Sequence, residues 1–171
     1  MTSTAPQPAE HPAALTDGVD VVLTDLDGVV YRGRNAIPHA VEALTRASLT
    51  ARVGYITNNA SRRPIDVAEH LERYGLEVSE GDVVTSSQAG VQLLATLVPA
   101  GATVLVTGGL GLTSIVEEAG FTVTSSAEDS PAAVIQGFSP DLGWKELAEA
   151  SFALADPGVP GGATNMAWSI P

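Results

Sequence analysis

The chain has 171 residues, 44% of them hydrophobic, and sets eight basic against 20 acidic side chains for a net charge of −12. That length and apolar content suit one good core or two small ones, and the charge argues against a nucleic-acid surface, which needs clustered Lys and Arg to meet phosphates. With no cysteine, disulfides, thiolate zinc sites and thiol nucleophiles are excluded, and any metal must be held by oxygen.

Residues 1–18 are rich in Pro, Ala and small polar side chains without a sustained period, which reads as a mobile tail. The start lacks the basic and apolar regions of a signal peptide, and no apolar run reaches the roughly 18 residues of a membrane span. A cytoplasmic chain without membrane contact is expected. Residues 20–24 (DVVLT) predict a strand, and Pro38 can open a helix with Ala40, Val41, Leu44 and Ala47 on one face. Residues 52–57 (RVGYIT) predict the next strand, residues 64–74 a helix ended by Gly75, and residues 87–97 a third helix. Pro99, Ala100 and Gly101 read as a joint. Beyond it, residues 103–107 (TVLVT) and 132–137 (AAVIQG) predict strands, and residues 110–119 and 142–155 helices. Strands alternating with helices give an α/β fold with parallel sheets covered on both faces.

In such sheets ligands bind at the carboxyl ends of the strands. Asp25 and Thr57 both fall there. In Asp25-Leu26-Asp27-Gly28, one carboxylate could act as a nucleophile while the other, in the turn beyond, handles protons. Gly28 permits the tight turn. Thr57, Asn58 and Asn59 offer a hydroxyl, amides and backbone N–H groups to phosphoryl oxygens, and Arg62 and Arg63 add charge.

These residues carry a family resemblance. DLDGVVYRG followed by YITNNASRR is similar to motifs I and II of the haloacid dehalogenase-like phosphatases, specifically the class (IIA) with a large α/β cap inserted after motif II. VVTSSQAG, VLVTGGLGLTSIVEEAGF, AAVIQGFSPDLGWKELAEA and GGATNMAWSIP resemble the segments that follow. Members include pyridoxal phosphate, phosphoglycolate, nucleotide and nitrophenyl phosphatases. The resemblance implies a Rossmann-like core begun by residues 19–99, an inserted cap over residues 100–171, and a small phosphorylated metabolite as substrate. It implies further that Asp25 attacks phosphorus and that Asp27 protonates the leaving oxygen and then activates water. Thr57, Asn58, Asn59 and Arg62 would bind the phosphoryl group, and Mg²⁺ would be held by the Asp25 carboxylate and the Asp27 backbone carbonyl. Oligomeric state stays open, with a homo-oligomer among the outcomes.

The sequence also departs from the family pattern. The motif III lysine and motif IV acidic pair would follow beyond Pro171, so a C-terminally incomplete form with little activity alone is expected. The only lysine, Lys145, lies in a predicted surface helix, and Ala167 stands where the family's cap carries an acid. A noncatalytic phosphate-binding or interaction remnant is the alternative. Gly109-Leu110-Gly111-Leu112-Thr113-Ser114 imitates a dinucleotide fingerprint, with Ser114 in place of its third glycine. His39 and His70 read as surface residues, and Trp144 and Trp168 as packing.

Overall fold

The computed structural model describes residues 16–166. Residues 1–15 of the expected tail, with His11, and residues 167 and 168 of the cap-like segment, lie outside them. In chain order the first half contains β1 (Val21–Asp25), β2 (Tyr31–Arg32), β3 (Asn35–Ala36), α1 (Ala40–Ala47), β4 (Arg52–Thr57), α2 (Pro64–Glu72), β5 (Val83–Thr85) and α3 (Ser86–Leu94). The second half contains β6 (Thr103–Thr107), α4 (Leu110–Glu118), β7 (Thr122–Thr124), β8 (Ala133–Gln136), α5 (Trp144–Ala153) and β9 (Gly161–Ala163). Two parallel sheets result, ordered β1-β4-β5 and β7-β6-β8-β9, plus the small β2-β3 hairpin.

Local chemistry accounts for the boundaries. The Thr85 hydroxyl accepts from the Gln88 N–H, and the Gln88 side chain accepts from the Thr85 N–H, closing a box that starts α3. Pro64 opens α2, where its missing N–H costs nothing, and the Asp66 carboxylate accepts from the Arg63 N–H. At α1 the expectation shifts: the helix begins at Ala40, because His39 is left-handed at φ 67° and cannot be a helical residue.

The second sheet is covered on both faces. Leu112, Ile115 and Val116 of α4, with Val91 and Leu94 of α3, pack on Val104, Ala133 and Ile135. Ala150 and Ala153 of α5 pack opposite, on Leu105 and Val134. Although α3 precedes the 99–101 joint, its apolar face therefore belongs to the second core.

The first sheet corrects the expectation of two covered faces. Val53 and Tyr55 point into a core built with Leu26, Val30, Tyr31, Val67 and Leu71, and both α1 and α2 lie on that side. Among the described residues nothing covers the other side, where Val21 (49%), Leu23 (64%), Ile56 (42%) and Val84 (50%) are exposed. Side chains alternate along a strand, so one bare face exposes every second residue of β1 and β4. β1 is also an edge strand.

Candidate active site

The parallel register sets Asp25, last residue of β1, beside Ile56 of β4, one residue before Thr57. Both sequence-identified stretches thus emerge at the same end of the sheet. Asp25 is exposed. The chain then turns back: the Leu26 carbonyl accepts from the N–H groups of Val29, Val30 and Tyr31, and the Gly28 N–H donates to the Tyr31 carbonyl at 2.8 Å. Gly28 at φ 83° makes this possible without the penalty a Cβ would bring. The turn holds Asp27 half-buried opposite Tyr31.

Burial pushes the Asp27 carboxyl above the usual carboxylate range, and the neighbouring Asp25 charge adds to the effect; Arg62, His70 and a hydrogen bond from Tyr31 oppose it. The Tyr31 hydroxyl is pushed up to about 12, first by burial and then by the Asp27 charge. It therefore keeps its proton at neutral pH.

The second loop is built from its own side chains. Thr57 is buried, and its hydroxyl accepts from the Asn59 N–H at 3.1 Å. The Asn59 side-chain oxygen accepts from the Ser61 N–H (2.9 Å), the Ser61 hydroxyl (2.8 Å) and the Arg62 N–H (3.2 Å). Asn59 is in this way the organiser of the loop. The Asn58 carbonyl accepts from the Ser86 hydroxyl at 3.1 Å and from the Asn165 side-chain amide at 3.2 Å, and the Ala60 carbonyl accepts from the Ser87 hydroxyl at 3.2 Å. Three side chains from two other segments thus hold the loop.

Arg62 carries free charge to the site, acting on Asp27, Tyr31 and His70. Arg63 instead pairs with Asp66 at 2.9 Å at the start of α2, so its sequence-based role as added site charge gives way to a structural one. His70 is not a plain surface residue: its ring meets Tyr31 edge-on at 5.0 Å, its Nε2 lies 3.2 Å from the Tyr74 hydroxyl, and burial lowers its affinity for a proton. Sequence reasoning missed Tyr31, His70 and Tyr74; the aromatic in VVYRG was a visible residue without a period to place it. His39 is exposed, 4.0 Å from Glu42, as expected of a surface position. Trp144 is 83% exposed and packs no core.

The dinucleotide-like stretch has a packing explanation. A Cβ on Gly111 would collide with the backbone of Ser61 and Arg62, so this glycine lets the first turn of α4 lie directly on the Thr57–Arg62 loop.

Among the described residues no group of three or more His, Cys, Asp or Glu side chains gathers closely enough to hold a metal ion. The Asp25 carboxylate and the Asp27 carbonyl are hard oxygen donors of the kind magnesium takes, with water and substrate phosphate usual in its remaining positions. They fit it in kind, and two donors leave most of its six positions to be filled from elsewhere. No helix among the described residues is long and apolar enough to cross a membrane.

Comparison with known proteins shows the family and the fold. The family model for haloacid dehalogenase-like hydrolases matches residues 22–122. The D-glycerol 3-phosphate phosphatase of Mycobacterium tuberculosis is 42% identical over 135 residues, covering 79% of this chain and 38% of its own. The acid sugar phosphatase of Staphylococcus saprophyticus is 29% identical over 150 residues, 87% of this chain and 56% of its own. A crystal structure of the Mycobacterium tuberculosis glycerol phosphate phosphatase in complex with magnesium superposes with a TM-score of 0.82 at 38% identity, over 88% of this chain and 45% of that one. The p-nitrophenyl phosphatase from Archaeoglobus fulgidus gives 0.75 at 26% identity, over 85% and 54%. The chain thus spans roughly two-fifths to just over half the length of these relatives.

Proposed function

This chain belongs to the haloacid dehalogenase-like hydrolases, and we propose that it carries the nucleophile, the proton donor and the phosphate loop of a magnesium-dependent phosphomonoester hydrolase. The observation that carries this reading is the parallel register that brings Asp25, Asp27 and the Thr57–Arg62 loop to one sheet end. In this proposal residues 19–99 begin the catalytic core and the chain from residue 100 on belongs to a cap, to whose core α3 lends its apolar face. The substrate is a small phosphorylated metabolite, as the relatives' glycerol phosphate and sugar phosphate activities suggest.

A carboxylate oxygen of Asp25 attacks phosphorus, the bond to the leaving oxygen breaks, and that oxygen takes the proton from Asp27. Asp27, now a carboxylate, accepts a proton from water as the water attacks phosphorus; the bond to Asp25 breaks and inorganic phosphate leaves. Burial and the Asp25 charge both favour the protonated form of Asp27 that the first step needs. Thr57, the backbone N–H of Asn58, and Arg62 would receive the phosphoryl oxygens, with Asn59 holding the loop in shape, and magnesium, if bound by Asp25 and the Asp27 carbonyl, would offset the repulsion between carboxylate and phosphate. With so few ion ligands gathered among the described residues, the 171-residue chain should be a slow catalyst alone. Phosphate release from nitrophenyl phosphate with magnesium tests the reading: turnover should depend on Asp25, and turnover that survives Asp25→Asn unchanged contradicts it.

A further inference from the structure

We infer that Ser86 and Asn165 are positioning residues for phosphate recognition, directing the Thr57 hydroxyl through the peptide group between Asn58 and Asn59; the inference rests on the phosphate-binding role given above to Thr57. One planar group carries the connection. Its carbonyl belongs to Asn58 and its N–H to Asn59, and in a trans peptide the two point in opposite directions. On one side the Asn58 carbonyl accepts from the Ser86 hydroxyl at 3.1 Å and from the Asn165 side-chain amide at 3.2 Å. On the other side the Asn59 N–H donates to the Thr57 hydroxyl oxygen at 3.1 Å. Thr57 is 2% exposed, and among the described residues its hydroxyl makes no other hydrogen bond.

Each link removes a freedom. A carbonyl oxygen has two lone pairs, and two donors occupy both, so the peptide cannot rock about its flanking torsions without breaking a bond. A hydroxyl has one proton and two lone pairs; with the Asn59 N–H seated on one lone pair, the Thr57 proton is turned away from that side. It is left to donate, from a group oriented in advance, to an oxygen that carries negative charge. The two donors come from either side of the second sheet in the chain: Ser86 opens α3, whose apolar face belongs to the second core, and Asn165 follows β9. The direction of the Thr57 hydroxyl therefore depends on that sheet being seated on the loop.

The test uses the full 171-residue chain and titrates inorganic phosphate with magnesium, read from amide resonances. Ser86→Ala and Asn165→Ala should each weaken phosphate binding about threefold and together about tenfold, the worth of one or two hydrogen bonds. Either variant serves if the other fails to fold. These losses should vanish in a Thr57→Val background and return with Thr57→Ser, which restores a hydroxyl. Residues that only brace the loop would weaken binding equally whether or not position 57 carries a hydroxyl. That result overturns the inference, as does parental phosphate affinity in the variant lacking both donors. Failure of the underlying reading looks different. Thr57→Val would then bind phosphate as the parent does, which removes the phosphate-binding role and the inference with it. Turnover that does not depend on Asp25 would sink the hydrolase chemistry alone and leave the phosphate titrations to decide the inference.

Discussion

The side-chain amide of Asn165 donates to the backbone carbonyl of Asn58 at 3.2 Å, joining positions 107 residues apart. Asn58 lies in the loop that follows β4, and Asn165 follows β9 of the second sheet. The same loop takes Ser86 and Ser87 from the start of α3 and the first turn of α4 on its backbone. The candidate phosphate loop is thereby clamped between the two sheets, and its shape depends on both.

Gly111→Ala should be costly for that reason. The obstructing atoms are backbone atoms of Ser61 and Arg62, which cannot swing aside like the end of a side chain. Stability should fall by about 1 to 3 kcal/mol, the range for overpacking a close contact, and amide resonances of residues 57–62 should shift. Urea denaturation and a backbone NMR spectrum check this; an unaltered loop would show that α4 does not press on it.

Asn59 offers a way to separate scaffolding from phosphate binding. Asn59→Ala removes the acceptor of three hydrogen bonds and should cost about 1 to 3 kcal/mol. Asn59→Asp keeps the acceptor oxygen, so stability should stay near that of the parent, but it sets a negative charge beside the bound anion and should weaken phosphate binding. Parallel urea midpoints and inorganic phosphate titrations read the two effects. Equal loss of stability in both variants would contradict the assignment.

Much of this was legible in the sequence, and the rest was not for physical reasons. β1, β4, β6 and β8 are apolar runs, and glycine marks the ends of α2 and α4, so local pattern located them. β5, β7 and β9 have three residues each, too short for a period, and the GGA of β9 carries no apolar side chain beyond alanine. Register and sheet neighbours supply what composition does not. Asp25, Asp27 and Thr57 were visible because strand ends are where such chemistry sits. The Tyr31–His70–Tyr74 cluster was invisible, since no periodicity links a turn after β1 to the last helical turn of α2. The bare face of the first sheet was equally hidden, because Val21, Leu23, Ile56 and Val84 look like core residues until both helices are seen on one side.

That bare face should make the chain self-associate. At low ionic strength the net charge of −12 keeps copies apart, and added salt screens the repulsion while leaving apolar contact intact. Sedimentation velocity should show association rising with salt and suppressed by Leu23→Glu, whose side chain is largely exposed. A chain that stays monomeric in high salt would contradict this.

Acid should remove part of the stability through two carboxylates. Hydrogen bonding to Arg63 holds Asp66 below the usual carboxylate range, and hydrogen bonding to Ser79 does the same for Asp82. A depressed native value means that stability is present above the unfolded value, about 3.9, and is lost as pH falls below it. Both groups are partly exposed, so each contributes less than about 1 kcal/mol. Asp66→Asn should be less stable than the parent at neutral pH, and the gap should close in acid. A gap independent of pH would show that the charge is not what stabilises the start of α2.

The nucleophile can be identified directly by letting the chain react with nitrophenyl phosphate and magnesium, quenching in acid, digesting it and locating any phosphoryl adduct by mass spectrometry. The expected result is an adduct on the peptide that contains Asp25, formed and lost with phosphate release and absent from Asp25→Asn. Phosphate release by Asp25→Asn at the parent rate, or an adduct on a different residue, would contradict the central claim.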